Sequence, residues 1–227
     1  LKEQGVKVRY EEYELAVYLQ PDRRPRQFDI DAIQAKINAT PYDLIVLNHN
    51  PAADLFLDGR LKAPPGVPLL VSSYAGDLKE LIPGNLNLAG VVLPDNLAAS
   101  IRLASTIAPR AERMVIITGR SEEPQFRQRL RRNGIPEERI SKIQYVSGGS
   151  YSTAELLDLV QALPPDSVIL FASWLSSVKA DAENSYTVIP AIRERFRGLI
   201  LGKMECYLKL GADGGIMISG SRQGAAA

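Results

Sequence analysis

The chain has 227 residues, with 27 Lys and Arg against 26 Asp and Glu, so its formal charges nearly cancel. This balance excludes the strong field of one sign that holds nucleic acid or an anionic membrane surface. The single cysteine, Cys206, excludes an intrachain disulfide framework and a cysteine-based zinc site. The length is sufficient for one large domain or two small ones.

Strand-like and helix-like patterns alternate along the chain. Most strand patterns are short β-branched runs such as RMVIIT and SVILFA, which are typical of strands buried on both faces. The predicted strands are Val6–Leu15, Asp43–Leu47, Pro68–Ser72, Gly90–Leu93, Arg113–Thr118, Ser141–Val146, Ser167–Ala172, Gly198–Gly202 and Gly215–Ser219. The predicted helices are Asp29–Asn38, Asn96–Ile107, Glu123–Asn133, Thr153–Ala162 and Ile189–Phe196. The alternation predicts a doubly wound α/β architecture with parallel sheets.

A second series of strands and helices begins at Arg113, which indicates two lobes joined by crossings. We predict lobe one over residues 1–94, lobe two over residues 95–207 and a return crossing into lobe one over residues 208–227. The first residues read as the tail of a helix and the last as the start of one. We therefore expect that the chain is trimmed at both ends from something longer.

Ligands of parallel α/β sheets bind beyond the carboxyl ends of the strands, so the residues that follow each strand are the candidates for a site. They include the single histidine, the single tryptophan, an arginine and two acids. The candidates are Asn48, His49, Asn50, Ser73, Tyr74, Asp95, Arg120, Trp174, Glu205 and Tyr207. Amides, hydroxyls, aromatic faces and one guanidinium suit a small polar ligand that carries a carboxylate.

His49 also permits other interpretations. A general base needs a partner, yet the only thiol, Cys206, is distant in sequence and no neighbouring acid marks a triad. One histidine with scattered carboxylates has no metal-ligand spacing, so we expect no metal. A structural alternative is that Asn48 or Asn50 caps a helix entered at Pro51, which suits the first helical position.

Three further features of the sequence are candidates for a site. VSGGSYST lies between a strand and a helix and has backbone amides for an anion, but it has neither the dinucleotide nor the P-loop spacing, which favours a tight turn. Asp95 and Glu205 both follow strands, but nothing in the sequence sets their separation. The polar stretch Ser176–Thr187 after Trp174 is long for an α/β connection, which favours a binding wall.

The order of these elements resembles a known family over nearly the whole chain. The runs YDLIVLNHNPAADLFL, VPLLVSSYAG, NLAGVVLPDNLAASIRLASTIAP and RMVIITG resemble the type I periplasmic-binding-protein fold. The runs SVILFASWLSS and GLILGKMECYLKLGADGGIMISG are similar to its second lobe and return crossing. Within this fold, the chain resembles the ABC-transporter substrate-binding-like domains that form the extracytoplasmic sensor region of bacterial sensor histidine kinases.

This resemblance implies a non-catalytic clamp, without a cofactor, that closes two lobes over a small solute. The closure would signal to a membrane-anchored histidine kinase in two-component signal transduction, or to a permease when the chain is an ABC-transporter component. The protein would be bacterial and periplasmic or extracytoplasmic, tethered to the membrane in its full-length form. Pairing into a homodimer and ligand identity stay open. An alternative function, of a different kind, is that of an α/β group-transfer enzyme.

Carried over to this chain, the resemblance also implies roles for individual residues. Lobe one would contribute Asn48, His49, Asn50, Ser73 and Tyr74, and lobe two would contribute Arg120, Trp174, Tyr186 and Glu205, while Asp95 would lie near the hinge and Tyr207 in the return. Members of the group usually begin with a strand and loop that contribute to the cleft, and this sequence has no such segment before Leu1. The set of contacts from lobe one is therefore incomplete.

Overall fold

The computed structural model describes residues 7–15, 26–74, 87–93, 96–111, 113–119, 123–176 and 183–226. The chain divides into two compact units, each with its own parallel sheet. Unit one comprises residues 1–93 with 226–227, and unit two comprises residues 94–225. The predicted α/β fold with parallel sheets is confirmed within each unit.

Unit one has two helices and three strands among its described residues before Leu93. They are α1 (Gln27–Ala39), β1 (Ile45–Asn48), α2 (His49–Leu57), β2 (Leu69–Tyr74) and β3 (Leu88–Val92). The strands lie in the order β1-β2-β3, all parallel. Ile30 and Ile37 are seven residues apart on one face of α1 and are buried against Leu47, Leu55 and other residues of the same core.

Unit two alternates helices and strands over a longer stretch. Its elements are α3 (Leu97–Ile107), β4 (Met114–Thr118), α4 (Glu123–Arg132), α5 (Glu137–Ser141), β5 (Ile143–Ser147), α6 (Thr153–Gln161), β6 (Val168–Phe171), α7 (Ser185–Arg195), β7 (Leu199–Gly202), a 3-10 helix (Glu205–Leu210) and α8 (Gly220–Ala226). The parallel strands lie in the order β5-β4-β6-β7. Val115 and Ile117 of β4 belong to one core and Ile116 to the other, so the sheet is covered on both faces. This double burial explains the continuous apolar runs of the sequence.

The structure differs from the predicted strands at both ends of the chain. Residues 7–15 form no strand, so the strand predicted at Val6–Leu15 is wrong over the described residues. Glu11 of this segment instead accepts hydrogen bonds from the hydroxyls of Tyr13, at 2.7 Å, and of Tyr42, at 2.8 Å. The predicted strand Gly215–Ser219 is replaced by isolated parallel bridges, Gly214 with Leu201 and Ile218 with Met204.

The segment predicted to return to lobe one is held by β7 of unit two. Gly202 donates its backbone N–H to Gly214 O at 2.8 Å, and Ile200 donates to the carboxylate of Asp213 at 2.8 Å. Gly215 lies so close that a Cβ there would be 2.3 Å from Gly202 O. Residues 208–225 consequently group with unit two and residues 226–227 with unit one, and the crossing into lobe one over residues 208–227 stays a prediction.

Candidate ligand-binding site

The carboxyl edge of the sheet in unit one carries two residues in an unusual backbone conformation. Asn48 at the end of β1 is paired in register with Ser72 of β2. The residue after each of these has a positive φ: 64° at His49, the first residue of α2, and 63° at Ser73, which lies within β2 where its register with β3 shifts. These are the non-glycine residues with positive φ within the described ranges. A left-handed conformation costs an L-residue ~1–2 kcal/mol. Such strain concentrates at functional sites, so its occurrence at the carboxyl edge of two neighbouring strands is consistent with the predicted site.

The capping interpretation of this polar segment is confirmed for the position of Asn48 but not for a bond from its side chain. Helix α2 begins at His49, two residues before the predicted start at Pro51, although the φ of 64° at His49 lies outside the right-handed helical range. Asn48 is the N-cap residue, but its side chain makes no capping hydrogen bond, and Asn50 lies inside the helix. The side chains of Asn48 and His49 are exposed and that of Asn50 is half-buried. Capping therefore does not account for the amide of Asn48.

The other two candidates of unit one are buried. Ser73 is 7% exposed and Tyr74 is 4% exposed, with the Tyr74 ring in the core of the unit. The Tyr74 hydroxyl donates to Asp54 Oδ1 at 3.3 Å. Burial raises the pKa of the Asp54 carboxyl, against the opposite effect of this hydrogen bond. Tyr74 thus ties the end of β2 to α2, and in this conformation its ring is not presented to a ligand.

The carboxyl edge of unit two is linked by hydrogen bonds of its own. The Gly119 N–H donates to Ser173 Oγ at 3.0 Å, and the Ser147 hydroxyl donates to Gly119 O at 2.8 Å. The Gly148 N–H also donates to Gly119 O at 2.8 Å. These bonds connect the ends of β4, β5 and β6. The serines that follow these strands therefore already have structural partners.

Two aromatic candidates of unit two belong to its hydrophobic core. Trp174 is 2% exposed, and its indole Nε1 donates to Thr153 Oγ1 at 2.9 Å. Tyr207 is 5% exposed, its ring meets Phe171 edge-on at 5.3 Å, and burial raises the pKa of its hydroxyl. In this conformation, neither ring lines a surface. Packing accounts for Trp174 in this conformation, whereas its predicted contact with a ligand stays a prediction.

Two other candidates of unit two lie on its surface near the end of β7. Tyr186 on α7 is 61% exposed, and its hydroxyl lies 3.9 Å from the Sγ of Cys206, a contact that raises the pKa of Tyr186. Glu205, the neighbour of Cys206, is also exposed. The remaining candidates, Asp95 and Arg120, lie outside the described residues.

The glycine-containing turn VSGGSYST does not offer its helix terminus to an anion. Ser152 caps α6 and accepts from the Glu155 N–H at 3.3 Å, while Glu155 Oε2 accepts from the Ser152 N–H at 2.8 Å. The carboxylate of Glu155 thus occupies the amino terminus of α6. A Cβ at Gly148 would lie 2.1 Å from Leu175 O, so close backbone packing explains this glycine. The structure favours the tight-turn interpretation.

Sequence reasoning missed the partners of the buried candidates. Asp54 was not selected because nothing marks an acid on α2 as the partner of a tyrosine twenty residues later. Thr153 was recognised as a helix start but not as the acceptor for Trp174.

The described residues contain no group of three or more His, Cys, Asp or Glu that could hold a metal ion. In the same residues, no helix combines the length and apolarity needed to cross a membrane.

Comparison with solved structures identifies the fold. An ABC domain from Streptococcus pneumoniae, solved in complex with L-Trp, superposes with a TM-score of 0.55 at 16% identity, covering 89% of this chain and 67% of that one. A conserved domain protein from Vibrio cholerae gives 0.52 at 16% identity, covering 81% and 60%. The ligand-free, open structure of a substrate-binding protein with adhesive properties from Clostridium difficile gives 0.50 at 16% identity, covering 82% and 61%.

These similarities define the class of fold. The chain has the α/β fold of type I periplasmic-binding-protein-like substrate-binding proteins, as its resemblance implied. It spans between 60% and 67% of the length of these three chains. No protein-family model matches it, and the comparison with curated proteins gave no match.

Proposed function

We propose that the chain is a non-catalytic domain that binds a small solute and closes on it. The observation that carries this proposal is the pair of left-handed residues, His49 and Ser73, which follow paired residues of two adjacent parallel strands. The carboxyl edge is where parallel α/β sheets bind ligands. The exposed amide of Asn48 and imidazole of His49 provide hydrogen-bonding groups there.

The proposed ligand is a polar or aromatic solute that carries a carboxylate. This proposal is supported by the L-Trp bound to one protein of the same fold and by the substrate-binding role of another. Arg120 remains the proposed partner of the carboxylate, with Asp95, Asn50, Ser73, Tyr186 and Glu205 as further contacts. Tyr74, Trp174 and Tyr207 are buried, so a contact with them would require a change of conformation.

The test of solute binding is a thermal-shift screen that starts with L-Trp and continues with amino acids, organic acids, purines and sugars. We expect one class to stabilise the protein, by ~2.7 kcal/mol at a hundredfold excess over Kd. Asn48→Ala and His49→Ala should reduce that gain, whereas Lys36→Ala, an exposed change on α1, should keep it. If no class stabilises the protein, solute binding is rejected. Full stabilisation of both site variants would reject the site alone.

The finer proposal is that closure signals to a membrane-anchored histidine kinase, with the domain outside the cytoplasm and tethered to the membrane. The alternative is a substrate-binding component of an ABC transporter, which suits the same fold. An assay of the full-length protein in membranes distinguishes the two hypotheses. Solute would change autophosphorylation of a sensor kinase, whereas it would change ATP hydrolysis by the permease complex of a transporter. Turnover of a nucleotide sugar would instead support a group-transfer enzyme. Pairing of the full-length chains is measured by light scattering.

A further inference from the structure

Unit two contains a cavity at the amino-terminal edge of its sheet, opposite to the edge described above. Its volume is about 340 Å³, and Met114 and Ile143, the first residues of β4 and β5, lie in its wall. At 3.3 Å per residue, each of these five-residue strands is about 16 Å long. The cavity therefore lies at the edge of this sheet opposite to the carboxyl ends of its strands, and binding there does not depend on the proposed function.

Part of the wall of this cavity is apolar. Ile143 is 4% exposed, and the surrounding side chains are Ala108, Ala111, Met114 and Pro136. The volume lies at the lower end of the range of about 300–1,000 Å³ that small-molecule pockets occupy. The cavity therefore has space for one aromatic ring or a short branched chain.

Two cations of α5 and the loop after it line the same cavity, and they differ in their partners. Lys142 Nζ lies 3.0 Å from Glu138 Oε1, so its charge is compensated by an acid that also lines the cavity. Arg139 instead contacts the hydroxyl of Ser105 on α3. Within the described residues, Arg139 forms no salt bridge, although its charge contributes, after the bond from Lys142, to lowering the pKa of the adjacent Glu138. A guanidinium that is bonded to a neutral hydroxyl beside an apolar cavity is suited to accept a carboxylate.

We propose that this cavity binds small monocarboxylates with an apolar body, such as an aromatic acid. The carboxylate accepts two parallel hydrogen bonds from Arg139, which leaves the Ser105 hydroxyl, and the apolar body packs against Met114 and Ile143. The exchange replaces a neutral acceptor by a charged one, which strengthens the hydrogen bonds of the guanidinium. Lys142 stays with Glu138, so the cavity accepts one negative charge.

The probe for the test is 4-fluorobenzoate, observed by fluorine NMR during titration with the intact chain. We expect saturable binding that falls at least tenfold in Arg139→Gln and is unchanged in Arg132→Gln, an exposed arginine of α4. The uncharged 4-fluorobenzyl alcohol should bind at least tenfold more weakly than the acid. Because Arg139 is exposed, circular dichroism should show that Arg139→Gln keeps its fold.

A second variant tests the exchange of partners. Ser105→Ala removes the hydroxyl that competes for Arg139, so it should bind 4-fluorobenzoate two- to threefold more tightly than the wild type. Each of three outcomes would overturn the proposal. They are equal affinity of the wild type and Arg139→Gln for 4-fluorobenzoate, equal affinity of the wild type for the acid and the alcohol, and a lower affinity in Ser105→Ala. His49→Ala should leave this titration unchanged, which separates failure of this cavity from failure of the proposed solute site.

Discussion

The indole Nε1 of Trp174 donates a hydrogen bond to the hydroxyl of Thr153 at 2.9 Å, inside the core of unit two. Trp174→Phe removes this bond and leaves space where the larger ring was. We expect a loss of about 1–3 kcal/mol in the free energy of unfolding, measured by urea denaturation. Trp174→Ala should cost about 3–5 kcal/mol. If Trp174→Ala unfolded like the wild type, the ring would not be a core residue and the ligand-wall interpretation would regain its support.

Arg193 connects α7 to the segment after the 3-10 helix. Its guanidinium donates to Gly211 O at 2.9 Å, to Gly198 O at 3.1 Å and to the Asp213 carboxylate at 2.5 Å. Arg193→Ala leaves these acceptors without their donor, so we expect a loss of about 2–3 kcal/mol in the free energy of unfolding.

Arg195, two residues further along α7, provides the matched control. It donates to Ala191 O of its own helix and lies 3.8 Å from Glu194 on the surface. Arg195→Ala should change the free energy of unfolding by no more than about 0.5 kcal/mol. Equal effects of the two substitutions in urea denaturation would show that the contacts of Arg193 do not stabilise unit two.

The carboxyl of Asp54 makes the stability of unit one depend on pH. Burial raises its pKa above the ordinary value of 3.8, although the bond from Tyr74 partly opposes this shift. The folded state therefore binds this proton more tightly than the unfolded chain does. The resulting stabilisation is present below pH 3.8 and is lost as the pH rises through the raised pKa.

Asp54→Asn removes this titration, so the stability of the variant relative to the wild type should increase as the pH rises from about 3 to about 7. Tyr74→Phe removes the hydrogen bond that favours the charged form of Asp54, so the pKa of Asp54 should rise further. The stabilisation by the protonated carboxyl should then persist to a higher pH than in the wild type. Urea denaturation at several pH values measures both effects, with the exposed Asp43→Asn as the control for removal of one charge. A constant difference between Asp54→Asn and the wild type across this range would contradict the shift.

Substitutions of His49 can distinguish an effect on ligand binding from an effect on stability, because the φ of His49 is 64°. Glycine adopts this conformation without steric cost but loses more backbone entropy on folding, so His49→Gly should unfold within about 1 kcal/mol of the wild type. His49→Ala keeps the strain and also loses the imidazole. Both variants should lose affinity for the solute found in the screen. Wild-type affinity in both, measured by calorimetry, would show that the imidazole does not contact the solute.

The fold class could be predicted from short stretches of sequence, because the burial of each strand and the capping of each helix leave a pattern within a few neighbouring residues. Runs such as Met114–Thr118 and Val168–Phe171 are apolar at successive positions, since their alternate residues enter different cores. The start of α6 was predicted correctly for the same reason, because the Ser152 and Glu155 cap lies within four residues. The resemblance to the type I periplasmic-binding-protein fold rests on the order of these elements.

The alternation of parallel strands and helices, and the polar residues at the strand ends, could be predicted from the amino-acid sequence, because burial on both faces leaves a continuous apolar run. Three features became visible in the folded chain alone: Trp174 and Tyr207 are core residues, residues 208–225 pack with unit two, and His49 and Ser73 share a left-handed conformation. Those outcomes depend on contacts between residues distant in sequence. A hydrogen bond such as the one from Trp174 to Thr153 has no signature in either segment alone.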